Sequence, residues 1–212
     1  MTFDVTVIVG HILTAVGLFI SIAAVVEGFR SFRNWQRQKL EARRIEIATD
    51  ALALAHESRL IFDNIRQSRT DPSEWKDMPA PFDRREQRGR YYAILKRISL
   101  NRDFFTKARD LQVRCTTIFG RDVEAVFLLL HKSRRQIEVS ADMLMCDPEL
   151  TVNSQENLDL WNKMQSDVDS GYSRVTNTGD EVGKMLSDFV DGIERLCRPI
   201  VEHELRKQKS SP

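Results

Sequence analysis

One uncharged apolar stretch constrains the fold of this chain more than any other feature. Residues Val5–Val26 run for 22 positions without a formal charge, if His11 is neutral. As a helix rising about 1.5 Å per residue, the stretch is roughly 33 Å long, enough to cross a hydrocarbon core of about 30 Å. Its leader, Met-Thr-Phe-Asp, has no basic residue, and the run is longer than the apolar core of a cleavable signal. The sequence therefore predicts a retained transmembrane helix over residues 5–28, preceded by a short external tail of residues 1–4.

Basic residues follow the apolar stretch directly and predict its orientation. We call them the basic collar: Arg30, Arg33, Arg37, Lys39, Arg43 and Arg44. Only Glu27 and Glu41 oppose them, and the other flank carries no cation. Because cationic residues are retained on the cytoplasmic side of a membrane, the pattern predicts an outside N-terminus and a cytoplasmic C-terminal body. The collar is expected to contact anionic lipid headgroups, with fixing of the topology alone as the alternative.

Small residues recur along one face of the predicted membrane helix. We call them the small-residue stripe, spaced alternately by four and three positions: Gly10, Thr14, Gly17, Ser21, Ala24 and Gly28. Helices in lipid associate where small side chains let their backbones approach closely. The stripe predicts a helix–helix interface and a homo-oligomer, although small residues also occur in membrane helices without partners. For His11, an interfacial hydrogen bond, proton movement and contact with headgroups all stay open.

The remainder of the chain shows apolar residues at helical spacing and no long alternating run. The pattern predicts an all-α fold, in which the transmembrane helix runs into an antiparallel cytoplasmic bundle of about four helices. Residues 29–67 continue the first helix, residues 68–82 form a Pro-rich loop, residues 83–208 form the bundle and residues 209–212 a disordered tail. Within the bundle, helices are predicted over 83–119, 122–145, 158–164 and 180–207, with a polar loop over 166–180. Asp83 and Glu86 form a predicted capping box.

The adjacent rings of Phe104 and Phe105 must point in different directions. One of them is predicted to lie in the core, and the other is a candidate contact for a partner.

Charge, cysteines and motifs exclude several functions. A net charge of +1 and a short collar without an accompanying motif argue against a nucleic-acid partner. The three cysteines lack close spacing, which argues against disulfides and structural zinc. The Glu202–Glu204 cluster does not converge on one point, because adjacent helical residues diverge. We predict no catalytic residue, no cofactor-binding residue and no metal ligand, and therefore no enzyme.

Three segments resemble a known group of proteins. They are EARRIEIATDALALAHESRLIFDNIRQSR, RDLQVRCTTIFGRDVEAVF and DGIERLCRPIV. Together they are similar to small bacterial single-pass membrane proteins with a helical cytoplasmic region and no established activity. The resemblance implies a bacterial inner-membrane location and transfers no catalytic residue.

Two functions stay open from the sequence. The first is a membrane-anchored, non-enzymatic interaction or scaffold protein that self-associates through its transmembrane helix. Its expected partners are the lipid bilayer, further copies of itself and a cytoplasmic protein. The alternative is a membrane effector or sensor of a bacterial stress or phage-defence system, in which the bundle controls the packing of the transmembrane helices.

Overall fold

The described part of the chain is helical. A computed structural model describes residues 5–79, 85–146, 154–172 and 179–210, with side chains described except at 5–16, 85, 204, 205 and 207–210. The α-helices are α1 (Val5–Ile65), α2 (Arg85–Leu100), α3 (Arg102–Phe119), α4 (Asp122–Cys146), α5 (Gln155–Val168) and α6 (Glu181–Ser210). A 3-10 helix covers Pro72–Trp75, and the described residues contain no strand. The predicted all-α class is confirmed.

The chain divides into two compact units, residues 1–45 and 46–212. The described side chains of the first unit are exposed from Gly17 through Arg44. Across the described residues, no helix has both the length and the apolar character needed to cross a membrane. The side chains of residues 5–16, with which the predicted transmembrane run begins, lie outside the described residues, as does the predicted tail of residues 1–4.

Helix α4 organises the second unit. It packs against α2, α3, α5 and α6, because apolar residues spaced by three and four positions face inward on several sides. Phe127 is fully buried and meets Phe189 of α6 edge-to-face, with ring centroids 5.6 Å apart. Phe62 near the end of α1 meets Phe105 of α3 in the same way at 5.9 Å. A helical bundle is therefore confirmed.

Across the described residues, the bundle contains more helices than the about four that the sequence predicts, because the helix predicted over 83–119 is divided. The single helix expected over 83–119 breaks at Asn101, whose backbone adopts φ −93° and ψ 20°. The Asn101 side chain donates to the Arg97 carbonyl at 2.8 Å, a local bond that competes with helical continuation. The predicted capping residue Asp83 lies outside the described residues.

Helix α5 corrects a second prediction. It spans Gln155–Val168 rather than 158–164, and the Ser154 hydroxyl caps it by accepting from the Asn157 N–H at 3.3 Å. Its last turn is buried and occupies residues that the sequence predicts as polar loop. Helix α6 likewise extends to Ser210, into the predicted tail.

The aromatic pair of α3 is a third correction. Phe104 and Phe105 are both buried, and their ring centroids lie 5.2 Å apart. Neither ring is left as a contact for a partner.

Candidate functional site

Large apolar side chains of α1 lie uncovered on three sides of the helix. Leu18, Phe19 and Ile20 are 63%, 79% and 64% exposed. Successive helical residues point about 100° apart, so these three cover most of the circumference. Six more large exposed side chains continue the apolar surface into the collar: Ile22, Val25, Val26, Phe29, Phe32 and Trp35. An apolar surface of this extent is rarely left in contact with water and marks a site of interaction with lipid or protein.

The small-residue stripe occupies the remaining side of the same helix. Gly17 and Gly28 are exposed, and a Cβ atom built on either would meet no other atom within 4 Å. Ser21 donates its hydroxyl to the Gly17 carbonyl at 2.8 Å, so its hydrogen-bonding capacity is used within the helix. At Gly17 and Gly28 the stripe is therefore uncovered, and no side chain projects from it. The surroundings of Gly10 and of the His11 and Thr14 side chains are not described.

The basic collar is exposed along its whole length. Arg30 pairs with Glu27 at 3.7 Å, and both side chains remain largely exposed. Phe32 stacks on Trp35 with centroids 5.9 Å apart, and the Lys39 ammonium lies 4.9 Å from the Trp35 ring centroid. Aromatic rings beside cations are typical of the interface between lipid and water.

The two buried thiols of the second unit, Cys115 and Cys197, are poorly suited to nucleophilic chemistry. Burial raises the pKa of Cys115 to about 12 and the pKa of Cys197 to about 11. A reactive cysteine needs the opposite, a lowered pKa in an exposed electropositive setting. Among the described residues, no group of three or more His, Cys, Asp and Glu side chains is arranged to hold a metal.

Two buried arginines, whose roles the sequence pattern does not reveal, stabilise the C-terminal ends of helices α1 and α5. Arg97 donates to both carboxylate oxygens of Glu74 at 2.7 Å and to the carbonyls of Asn64, Gln67 and Arg69. Arg66 donates to the carbonyls of Ser166 and Asp167, at 2.7 and 2.9 Å, and to the Asp180 carboxylate. Each guanidinium thereby satisfies carbonyls at or just beyond a helix C-terminus. The arrangement stabilises the fold rather than exposing reactive groups.

Two aspartates of the α5 terminus complete this buried polar network. Asp167 accepts from Ser140 and Gln136 at 2.7 and 2.8 Å, and burial raises its pKa. For Asp169, burial opposes ionisation, but hydrogen bonds from Ser68 and the Gly171 N–H, together with the charge of Arg90, hold its pKa below the ordinary value. The contribution of Asp167 to stability therefore falls as pH rises, whereas the contribution of Asp169 falls as pH is lowered.

We expect Asp167→Asn to change the pH dependence of stability. A raised folded-state pKa means that the folded protein binds the proton more tightly than the unfolded chain. The stability that protonated Asp167 contributes is therefore lost as pH rises from the ordinary pKa of 3.8 through the raised value. Because Asn cannot ionise, D167N should gain stability relative to the wild type over that window.

Urea unfolding at a series of pH values between pH 3.5 and pH 7 measures this difference. Asp188→Asn, which removes an exposed carboxylate of α6, is the matched control. A constant difference between D167N and the wild type at all pH values would contradict the expectation.

No family model, curated protein or solved structure matches this chain. The candidate site is therefore defined by its own residues. It comprises the exposed apolar surface of α1, the small-residue stripe and the basic collar.

Proposed function

We propose that the chain is a membrane-anchored, non-enzymatic helical interaction or scaffold protein. Residues 5–28 cross the inner membrane of a bacterium, the N-terminus lies outside, and the bundle lies in the cytoplasm. Copies of the chain associate through the small-residue stripe, and the bundle presents its surface to a cytoplasmic protein.

One observation carries the proposal: large apolar side chains are exposed on three sides of α1, and small residues occupy the fourth. A folded protein partner that docks on one face would leave the other apolar faces in water. A bilayer surrounds a helix on all sides and covers them together. The fourth side is smooth enough for a second helix to approach closely.

The order of residues after this segment supports the orientation. The apolar run is followed by the basic collar, and exposed aromatic rings alternate with its first cations, as expected where a helix leaves the hydrocarbon and meets anionic headgroups. The excess of cations lies on the bundle side only. The cytoplasmic assignment of the bundle rests on this asymmetry.

The chemistry of the second unit supports an interaction role. Its two buried thiols have raised pKa values, and its buried arginines, Arg66 and Arg97, donate to carbonyls at helix ends. These contacts stabilise the bundle, and a stable bundle can present a fixed helical surface to a partner.

Membrane fractionation of the full chain tests the anchor. We expect the wild-type protein in the membrane fraction after alkaline washing. Leu18→Arg combined with Ile22→Arg should shift it to the soluble fraction, because each arginine costs about 2.5–3.5 kcal/mol near the centre of a membrane helix. Leu18→Ile combined with Ile22→Leu is the matched control and should stay with the membranes.

Recovery of the wild-type protein in the soluble fraction would rule out the anchor. Digestion of the bundle by protease added outside sealed cells would rule out the proposed orientation.

Gly17→Leu tests self-association. Gly17 is bare, and a leucine there would hold two stripes apart. We expect the association signal of a membrane two-helix reporter to fall by about tenfold, which corresponds to about 1.4 kcal/mol. Ala23→Leu is the matched control, because Ala23 lies roughly 140° around the helix from the stripe. An equal loss in both variants, or in neither, would contradict an interface at the stripe.

A further inference from the structure

A groove in the second unit is lined by three arginines. It lies among α2, α3 and α4 and has a volume of about 550 Å³. Its charged lining comprises Arg102, Arg109, Arg134 and Glu138, with His131 beside them. Leu95, Ile98 and Phe105 provide its apolar surface. Its volume lies within the range of small-molecule sites, about 300–1,000 Å³.

Two of the guanidinium groups have no partner in the described part of the chain. Arg102 and Arg109 are exposed, and neither guanidinium has a hydrogen bond or ion pair among the described residues. They lie seven positions apart on α3, roughly 10.5 Å along the helix axis. Both line the groove from the same helix.

The sequence of α3 keeps these cations away from the neighbouring carboxylates. Asp103 and Asp110 each follow one of the two arginines, with the same seven-residue spacing. Because adjacent residues point about 100° apart, the aspartates face another side of the helix, where they line a separate cavity. The side of α3 that lines the groove therefore presents arginines without the neighbouring carboxylates.

The third guanidinium is held in place. Arg134 donates from Nε to one carboxylate oxygen of Glu138 at 2.8 Å and forms an ion pair with the same oxygen through Nη2 at 2.8 Å. Its guanidinium carbon lies 4.5 Å from the Phe105 ring centroid. With His131 neutral, the groove carries a net formal charge of +2.

The pKa of His131 reflects the positive potential of the groove. Its Nε2 atom lies 2.8 Å from the Gln112 side-chain oxygen, which makes Nε2 the donor of this bond. Burial, and then the charges of Arg109 and Arg134, lower the pKa of His131. The two arginines thus already disfavour a further cation and favour an anion.

From this geometry we infer that the groove binds the phosphate or pyrophosphate group of a small molecule, with Arg102 and Arg109 as its principal contacts. A net charge of +2 matches a phosphate dianion better than a single carboxylate. Guanidinium groups form strong paired hydrogen bonds with phosphate oxygens. The apolar surface of Leu95 and Ile98 is available to the rest of the ligand. All of these residues belong to the second unit, so the inference does not depend on the membrane anchor.

Titration calorimetry on the full chain in detergent tests the inference, with pyrophosphate and ATP as probes. We expect one binding event per chain. Arg102→Gln combined with Arg109→Gln should weaken it by about tenfold or more, because two charge-assisted contacts are lost. Arg121→Gln combined with Arg135→Gln removes the same charge from exposed positions outside the groove, and should change affinity by less than about twofold.

A second variant keeps the test independent of the arginines' role in folding. Ser99→Glu adds a carboxylate to the rim of the groove at an exposed position, and should weaken pyrophosphate binding by a similar factor. Far-UV circular dichroism establishes that each variant remains helical.

Several outcomes would overturn the inference. They are absence of heat with both probes, equal weakening in the R121Q/R135Q control, and unchanged affinity in both R102Q/R109Q and S99E. A lipid source of the phosphate is tested with glycerophosphoglycerol, the soluble headgroup of phosphatidylglycerol. If this diester monoanion binds as tightly as pyrophosphate, the groove is a headgroup site rather than one for a free phosphorylated molecule.

Discussion

Replacing Arg97 with Met lowers the free energy of unfolding by an expected 3–4 kcal/mol, about the cost of breaking a buried ion pair from one side. Arg97 is 6% exposed and donates to Glu74 and to the carbonyls of Asn64, Gln67 and Arg69. Methionine has a similar length and replaces the apolar part of the side chain. It cannot donate, so three backbone carbonyls and one carboxylate lose the hydrogen bonds that Arg97 supplies.

Acid unfolding distinguishes this mechanism from a simple loss of packing. The hydrogen bond from Arg97 is the main cause that lowers the pKa of Glu74. A lowered folded-state pKa contributes stability that is present above the ordinary value of 4.5 and is lost as pH falls through the lowered value. We expect the wild type to lose stability as pH falls through that window. R97M lacks this contribution already at neutral pH, so its stability should depend less on pH over the same window.

Urea unfolding followed by tryptophan fluorescence, repeated between pH 3 and pH 7, measures both effects. Arg135→Met is the control, because Arg135 is exposed on α4, and its effect should stay within about 0.5 kcal/mol. If R97M and R135M have similar stability at neutral pH, the buried guanidinium does not hold the α1 terminus.

The sequence predicts the helices of the bundle because apolar residues recur at helical spacing along their inner faces. The spacing of Val123, Leu130 and Ile137 places α4 within one residue of its observed bounds. Asn101 appears in the sequence as a polar interruption of an apolar face. Its effect as a helix break depends on a side-chain bond to the Arg97 carbonyl, which periodicity alone does not reveal.

The buried polar network was not predictable by the same reasoning. Arg66 contacts Ser166 and Asp167, which lie 100 and 101 positions further along the chain. Asp167 and Asp169 stand in a polar segment that resembles any solvated loop, and only the tertiary contacts make it buried. Local patterns carry no signal for pairings of this range. A charged residue directly after an apolar stripe, as Arg66 follows Ile65, is the only local hint.

The candidate site on α1 and the cationic groove differ in the same way in how far the sequence predicts them. Exposure of the apolar segment and of the collar follows directly from composition along one helix. The cationic groove does not, because Arg134 comes from α4 and the other two arginines from α3. Alternation of Arg and Asp along α3 reads as an ordinary charged surface until the two sides of the helix are seen to line different cavities.

Gly192→Ala should destabilise the bundle by about 1–3 kcal/mol, although alanine is the better helix former. Gly192 is buried on α6, where α6 packs against α4. A Cβ atom built on it would lie 2.8 and 3.0 Å from the two terminal carbons of Val126. A valine side chain is short and stiff at χ1, so the helices must move apart to accept the methyl group.

Truncating the Val126 side chain should reverse the sign of the effect of Gly192→Ala on stability. In a Val126→Ala background, the added methyl group at position 192 has room, and Gly192→Ala should raise stability by about 0.5–1 kcal/mol, the usual gain for alanine over glycine in a helix. Val126→Ala alone costs less than a fully buried truncation, since Val126 is only partly buried. A double-mutant cycle in urea, followed by tryptophan fluorescence, measures the coupling between the two positions. If Gly192→Ala costs the same in both backgrounds, close approach of α4 and α6 at Gly192 does not set the packing of the bundle.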